Sequence, residues 1–324
     1  MSEQGKTEGE KINFHWPWVL WCIYLYILGV YGIYQLITCS MWFTIIYAIM
    51  IMLFGSLGLT IGAHRLWAHR TYDAEWYIKL MLMFAHTLTG VGSIHDWVLA
   101  HRIHHKFHGT DKDPYNHNRG FLYSHIISNF SKKSADYDKL AKVIDMRDME
   151  SDIYVWFQNK FYIPLFIIFG LLLPINAPAE YWGESIVTSF FVIGFLRLAV
   201  LLNISWLINS ATHIWSLKPQ DKYPPEDNLV FLINRSYWLN YHYVIPWDWK
   251  SGEFGTYNSG FSTSIINIFE RIGLVKDLKT ASDENIREAL FSLASTKKTA
   301  TEVFEDVKKA AEYDSARAEL EYHH

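Results

Sequence analysis

Histidine is the chemically conspicuous residue of this sequence. Fifteen histidines accompany only two cysteines, so a metal site would be built on imidazole nitrogen rather than thiolate. Several are grouped: His64 and His69 bracket HRLWAH, and His101, His104 and His105 form HRIHH. Asn209 and His213 bracket NSATH, and His242 stands in YWLNYHYVIPWDW. On an α-helix, residues i, i+3 and i+4 share a face, so the HRIHH imidazoles are expected to converge. The i, i+5 spacing of His64 and His69 does not share a face on a straight α-helix. Those two are expected to serve different metals, or to straddle a helix end. Imidazole suits zinc, copper, iron and nickel alike, so ligand type does not choose the metal. A carboxylate-bridged di-iron bundle would show Glu-x-x-His pairs, and none accompanies these groups. His15, His86, His108, His117, His125, His323 and His324 are read as ordinary packed or surface residues.

Imidazoles converge only if rigid elements hold them, and the apolar runs are the candidates. Half of the 324 residues are hydrophobic and 17% are aromatic, while mean hydropathy lies near zero. Membrane spans joined to a sizeable polar part fit that mixture, which predicts an all-α integral membrane protein. A helix needs about 20 apolar residues to cross a bilayer. Four runs qualify, at 16–37, 41–61, about 161–178 and 186–207, arranged as two hairpins. The polar cap comprises 62–160 and 208–281, giving a single domain over 16–281. Neither short connector carries Lys or Arg, which places both termini and the cap on the cytoplasmic side. Residues 1–15 form a polar tail without signal-peptide features, so the first run is expected to be an uncleaved anchor. The run Trp76 to Gly92 holds Lys79 and His86 and reads as a helix in the interface or packed on the cap, not a fifth span. Residues 282–324 form a charged tail of helical character. A net charge of −4 without a sustained basic block leaves no nucleic-acid partner. A transporter or channel is the bland reading of four spans; short outer loops and a heavy one-sided cap count against it.

The stretches GAHRLWAHRTYDA, HRIHHKFHGTDKDPYNHNRGF, SWLINSATHIW and NYHYVIPWDWKSGEFGTY resemble the membrane acyl-CoA desaturases, typified by stearoyl-CoA desaturase. The resemblance runs from about Phe14 to Ser282, and WLINSATH and PWDW separate it from alkane hydroxylases and sterol oxidases. It implies four transmembrane helices in the endoplasmic reticulum membrane, with a cytosolic helical cap holding a histidine-ligated di-iron centre. It further implies insertion of a cis double bond into a long-chain fatty acyl-CoA. Acid–base chemistry cannot remove hydrogen from an unactivated methylene, so the family uses iron, O2 and two electrons delivered by cytochrome b5. By the same resemblance His64, His69, His101, His104, His105, His213 and His242 fall on iron-ligand positions, and Asn209 on a position that holds iron through water. Lys132 and Lys133 match a basic pair that meets the coenzyme A phosphates, while Trp97 and Trp206 match positions near the substrate tunnel. Arg197 falls in mid-span, where an ionisable group is costly, and is expected to pair within the bundle as a structural residue.

The third histidine group departs from the family. Where the family usually reads His-Asn-Tyr-His-His before PWD, this chain reads Leu239, Asn240, Tyr241, His242 and Tyr243, so two ligand positions are lost. Gly-Glu-Gly ahead of the group is replaced by Arg235, Ser236 and Tyr237, and Arg-Asp before His101 by Leu99 and Ala100. Gly92 stands where Asn is usual. Loss of a partner one shell out typically costs about 10–100-fold in metal affinity or activity, and losing ligands should cost more. Tyr243 could bind as phenolate, and His95 or His108 could swing in. These departures keep an alternative open, a catalytically impaired paralogue that binds acyl-CoA or acts as a regulatory partner, with two irons, one or none.

Overall fold

A computed structural model describes residues 12–108, 110–116, 119–134, 136–210, 242–243, 245–252, 258–282 and scattered residues between 284 and 310. Among the described residues four helices are long and apolar enough to cross a membrane: α1 (Trp16–Thr38), α2 (Trp42–Ala68), α6 (Tyr162–Trp182) and α7 (Ile186–Ser210). Each runs past the expected boundary, and α2 does so most, ending at Ala68 rather than near residue 61. Between them lie α3 (Trp76–Thr87), α4 (Ile94–Phe107) and α5 (Ile153–Lys160); α8 (Phe261–Arg271) follows.

The burial pattern of α1 explains its apolar composition. Only the stripe Val19, Cys22, Leu25, Gly29, Gly32 and Gln35 is buried. Leu20, Ile23, Ile27, Val30, Ile33 and Ile37 are exposed, a cost that water would not allow and lipid removes. The stripe meets α7 at close range, since a Cβ at Gly32 would lie 2.5 Å from the Phe191 carbonyl oxygen. The buried Gln35 accepts a hydrogen bond from Thr188 at 3.0 Å, which fixes the two helices in register.

Glu184 ties the connectors together at the end of the bundle away from the cap. Its carboxylate accepts from Met41 N–H at 2.8 Å and from Thr44 Oγ1 at 2.6 Å, at the N-terminus of α2 where an anion is favoured. Arg197 has the structural role expected of it. Its guanidinium, fully buried, donates to the carbonyls of Ile193, Leu88 and Gly170. Ile193 and Gly170 lie in π-helical stretches of α7 (Phe190–Leu196) and α6 (Phe166–Leu172). There the wider turn changes the hydrogen-bond ladder, and α6, α7 and the end of α3 are pinned at one charge.

The cap is assembled on the cap-side end of α2. The twelve-residue α3 is too short to span, and it buries Ile78, Leu82 and Met83 against α2. At Gly58 the two backbones approach so closely that a Cβ would overlap Ala85 and His86. A two-stranded antiparallel sheet pairs β1 (Asp73–Ala74) with β2 (Val275–Lys276). Lys279 N–H donates to the Thr71 carbonyl and Trp249 N–H to the Lys279 carbonyl, so the PWDW segment is stitched beside the same helix end. Of the charged tail, residues 305–310 are helical and Val307 is buried.

Candidate metal centre

The last eleven residues of α2, Gly58–Ala68, are π-helical. In that geometry the hydrogen bond runs i to i+5, and the His69 N–H indeed donates to the His64 carbonyl at 3.1 Å. Residues five apart therefore stack. The His64 and His69 rings lie 4.7 Å apart between centroids and join one cluster rather than two; His64 lies within the helix and His69 caps its end, the other alternative that the spacing left open. The wider turn is the reason for the difference.

Helix α4 divides its histidines, again contrary to the expected convergence. His101 and His105, i and i+4, join His64, His69 and His242; the ligand-capable atoms of these five lie within 4.8 Å of one another. His104 turns away to a second group with His108 and Asp113. Three residues apart is a rotation of about 300°, four is about 400°, so three imidazoles on one turn fan over roughly 100°. That arc is wide enough to serve two sites.

Two arginines lock these elements. Arg65, buried in α2, donates to the Trp249 carbonyl at 2.9 Å and to Thr263 Oγ1 of α8 at 3.1 Å. Arg102 of α4 donates to the carbonyls of Trp67 and Ala68 at 2.8 and 3.1 Å and forms a two-pronged pair with Asp148. The first anchors the segment that carries His242; the second clamps α4 to the end of α2, where cations are favoured.

The five-histidine cluster has the geometry a metal requires. His69 and His101 face each other through Nε2 at 2.9 Å, and His64 and His242 do so at 3.2 Å. Two nitrogens about 2.0–2.1 Å from one ion and about 90–110° apart are separated by roughly 2.9–3.4 Å. Both ring nitrogens of His105 are buried without a hydrogen-bond partner, an arrangement that costs about 1–3 kcal/mol for each group unless something ligates it. Burial, and after it the neighbouring imidazoles, hold His69, His101 and His105 well below the usual histidine range. These rings are neutral at physiological pH, the form that offers a lone pair. Asn209 Oδ1 lies 2.8 Å from His101 Nδ1 and, as an acceptor, places the proton there, leaving Nε2 to face the cluster. The structure thus gives Asn209 a contact with a ring of this cluster. A cleft of about 460 Å³ lined by His69, Arg102, His105, Lys106, Tyr243 and Trp247 opens beside it.

The second group is wired differently. Asp113 Oδ1 accepts from His104 Nδ1 at 2.8 Å and from Tyr115 N–H at 2.9 Å. The Tyr243 hydroxyl lies 3.1 Å from His104 Nε2, and its ring stacks on His108 with centroids 3.6 Å apart and an interplanar angle of 11°. Asp113 was not foreseen, whereas His108, kept open as an alternative ligand, stands in this second group. The signal was the i, i+4 spacing of His104 and His108 and the DKDP turn that returns Asp113 to α4. His95 does not swing in and pairs with Asp96.

Other expected site residues fall as follows. Trp97 stacks on His101 with centroids 5.0 Å apart and donates Nε1–H to Ser205 of α7 at 2.9 Å. Trp206 packs edge-on to His125 and Phe130. Lys132 and Lys133 are exposed, beside the bridge between Phe14 and Ser131, with Lys133 Nζ 4.2 Å from the Tyr137 ring centroid. Gly92 has φ +103, which only glycine adopts readily, and its N–H donates to Tyr162. Leu99 packs on the cap core. His213, Leu239 and Arg235 to Tyr237 lie outside the described residues.

No protein-family model matches the chain. It is 42% identical over 268 residues to the acyl-CoA Delta-9 desaturase of Acheta domesticus, covering 82% of this chain and 75% of that one. It is 38% identical over 293 residues to the acyl-CoA Delta-12 desaturase of Tribolium castaneum, covering 88% and 82%. To the stearoyl-CoA desaturase of Homo sapiens it is 34% identical over 275 residues, covering 84% and 76%.

Proposed function

This chain is a multi-pass membrane protein of the acyl-CoA desaturase family, and we propose that it inserts a cis double bond into a long-chain fatty acyl-CoA. The observation that carries this reading is the cluster of five buried or half-buried imidazoles at the cap-side ends of the spans. Iron, which the family implies, would be held by His64, His69, His101, His105 and His242, and with O2 and two electrons it would supply the oxidising power that an unactivated methylene requires. The chain's own groups do the rest. Asn209 holds the His101 ring in one tautomer. Trp97 walls the cluster on the α4 side and, with Trp206, belongs to the apolar boundary along which an acyl chain would lie. Lys132 and Lys133, exposed and cationic, would meet the coenzyme A phosphates. Electrons would come from cytochrome b5 on the cytosolic face of the endoplasmic reticulum, the side to which this reading assigns both termini and the cap.

A second reading is supported by one observation, the Tyr243 hydroxyl beside His104. It holds that the chain binds acyl-CoA and turns it over poorly or not at all, acting as a regulatory partner. Expression in a yeast strain lacking its own desaturase separates the two. Desaturation predicts rescue without unsaturated fatty acid in the medium, new monoenes by gas chromatography, and loss of both in His101→Ala. No monoene from a well-expressed chain that still binds stearoyl-CoA would overturn the first reading in favour of the second.

A further inference from the structure

Two iron ions are what the family implies, and among the described residues two groups of side chains offer ligand atoms, which differ in whether those atoms are already engaged. We infer that this chain holds a single metal ion, in the five-histidine cluster, and that the hydrogen-bonded chain Tyr243–His104–Asp113 stands in place of a second. The inference rests on the reading of that cluster as a metal centre and deepens it.

Proton accounting shows why the second group is closed. Asp113 Oδ1 accepts, so His104 Nδ1 carries a proton. A neutral imidazole then has one lone pair, on Nε2, and Nε2 is the atom 3.1 Å from the Tyr243 hydroxyl. A phenol at neutral pH is a donor, so it occupies the one lone pair through which His104 could ligate. Each proton in this chain has an acceptor, and no charge develops beyond that of Asp113. The ring of Tyr243 lies flat on His108 at 3.6 Å, which fills the remaining approach with carbon. Asp113 and the His104 ring are both almost fully buried, so the pairing is desolvated and strong for its kind. A metal entering here would have to break the Tyr243–His104 bond, expel the phenol proton, and separate a stacked pair of rings. In the five-histidine cluster an ion would replace the His69–His101 and His64–His242 contacts between ring nitrogens with ligand bonds, without separating stacked rings or expelling a phenol proton, and one His105 nitrogen would gain a partner it otherwise lacks.

Metal content of the full chain, purified in mild detergent and loaded anaerobically with ferrous iron, tests this. Iron per chain by elemental mass spectrometry is expected near one, and the air-oxidised protein is expected to show the electron paramagnetic resonance of an isolated ferric ion. Tyr243→Phe and His104→Ala should leave the ratio near one, whereas His105→Ala should reduce it at least tenfold. The double variant Leu239→His/Tyr243→His, which restores imidazoles at both lost positions, should rise toward two and lose the isolated-ion signal to spin coupling. Two irons in the unaltered chain would overturn the inference. So would a visible phenolate-to-iron band that disappears in Tyr243→Phe, because Tyr243 would then be a ligand, and so would no bound iron in folded protein. A folded double variant that stays at one would overturn the role given to Tyr243. Activity is not the readout: one iron without desaturation leaves the inference standing and sinks the proposed reaction, while two irons with desaturation does the reverse.

Discussion

Helix α4 carries two groups of imidazoles that differ in what their nitrogens face. His101 faces the His69 ring nitrogen across the cluster, and both nitrogens of His105 are buried without a hydrogen-bond partner, a costly arrangement that a cation relieves. His104 looks toward a carboxylate on one side and a phenol on the other, so each of its two ring nitrogens already has a partner. The same residue type on the same turn is thus committed to opposite ends by its partners. What distinguishes a metal site from a structural network is not the histidine but whether its second nitrogen is left with a donor, an acceptor or another lone pair.

The largest effect that would break this comparison is expected at the cluster. His101→Ala removes one of five imidazoles and the acceptor arrangement set by Asn209. Metal affinity should fall by more than the roughly 10–100-fold typical of losing an outer partner, with loss of any desaturase activity. An unchanged metal content would mean that the cluster does not hold the ion. Asn209→Leu comes next. It leaves every ligand in place but frees the His101 tautomer, and about 10–100-fold in metal affinity is expected by titration against a competing chelator.

A third test uses acidity. Burial depresses His69, His101 and His105, so in metal-free protein the native state excludes protons that the unfolded chain accepts below about pH 6.5. Stability must therefore fall as pH falls through about 6.5 toward the lower native values, and be flat in this respect above it. Thermal unfolding of chelator-treated protein between pH 7.5 and 5.5 should show that decline, and bound metal should suppress it. A melting temperature independent of pH would remove the claim that these rings are buried neutral. Smaller again is His104→Ala, which removes the hydrogen bond to the Tyr243 hydroxyl and one of the two to Asp113 Oδ1. It should cost about 1–3 kcal/mol in stability with metal content unchanged. Lys133→Ala, at the exposed end of the scale, should move stability by less than about 0.5 kcal/mol and show itself only in a weaker KM for acyl-CoA.

Much of this was legible in the residues, for identifiable reasons. The spans announce themselves because lipid tolerates apolar side chains on every face, and Arg197 could be read as structural because a mid-span cation must find oxygen. The identity of the candidate ligands followed from residue type and from resemblance. Their grouping did not, because grouping depends on helix phase and on a neighbour from far along the chain. Nothing in HRLWAH says that the turn is π-helical, and nothing in HRIHH says that Asp113 will claim His104 while leaving its neighbours. In sequence Tyr243 was a lost imidazole or a possible phenolate ligand. Only its placement shows a donor matched to the lone pair it faces.

The π-helical end of α2 has a consequence for how its histidine motif can be moved. A wider turn amounts to one residue of extra phase inserted into an α-helix, and here that phase is what brings His64 over His69. A motif of this kind is not portable as a string of letters. Grafted onto an ordinary α-helix, His-x4-His would point its rings about 140° apart and hold nothing. Conversely, deleting a single residue between Gly58 and Ala63 would let the helix relax to α and swing His64 away while every histidine remained in the sequence. The binding competence of this segment is therefore written in a count of residues as much as in their identities.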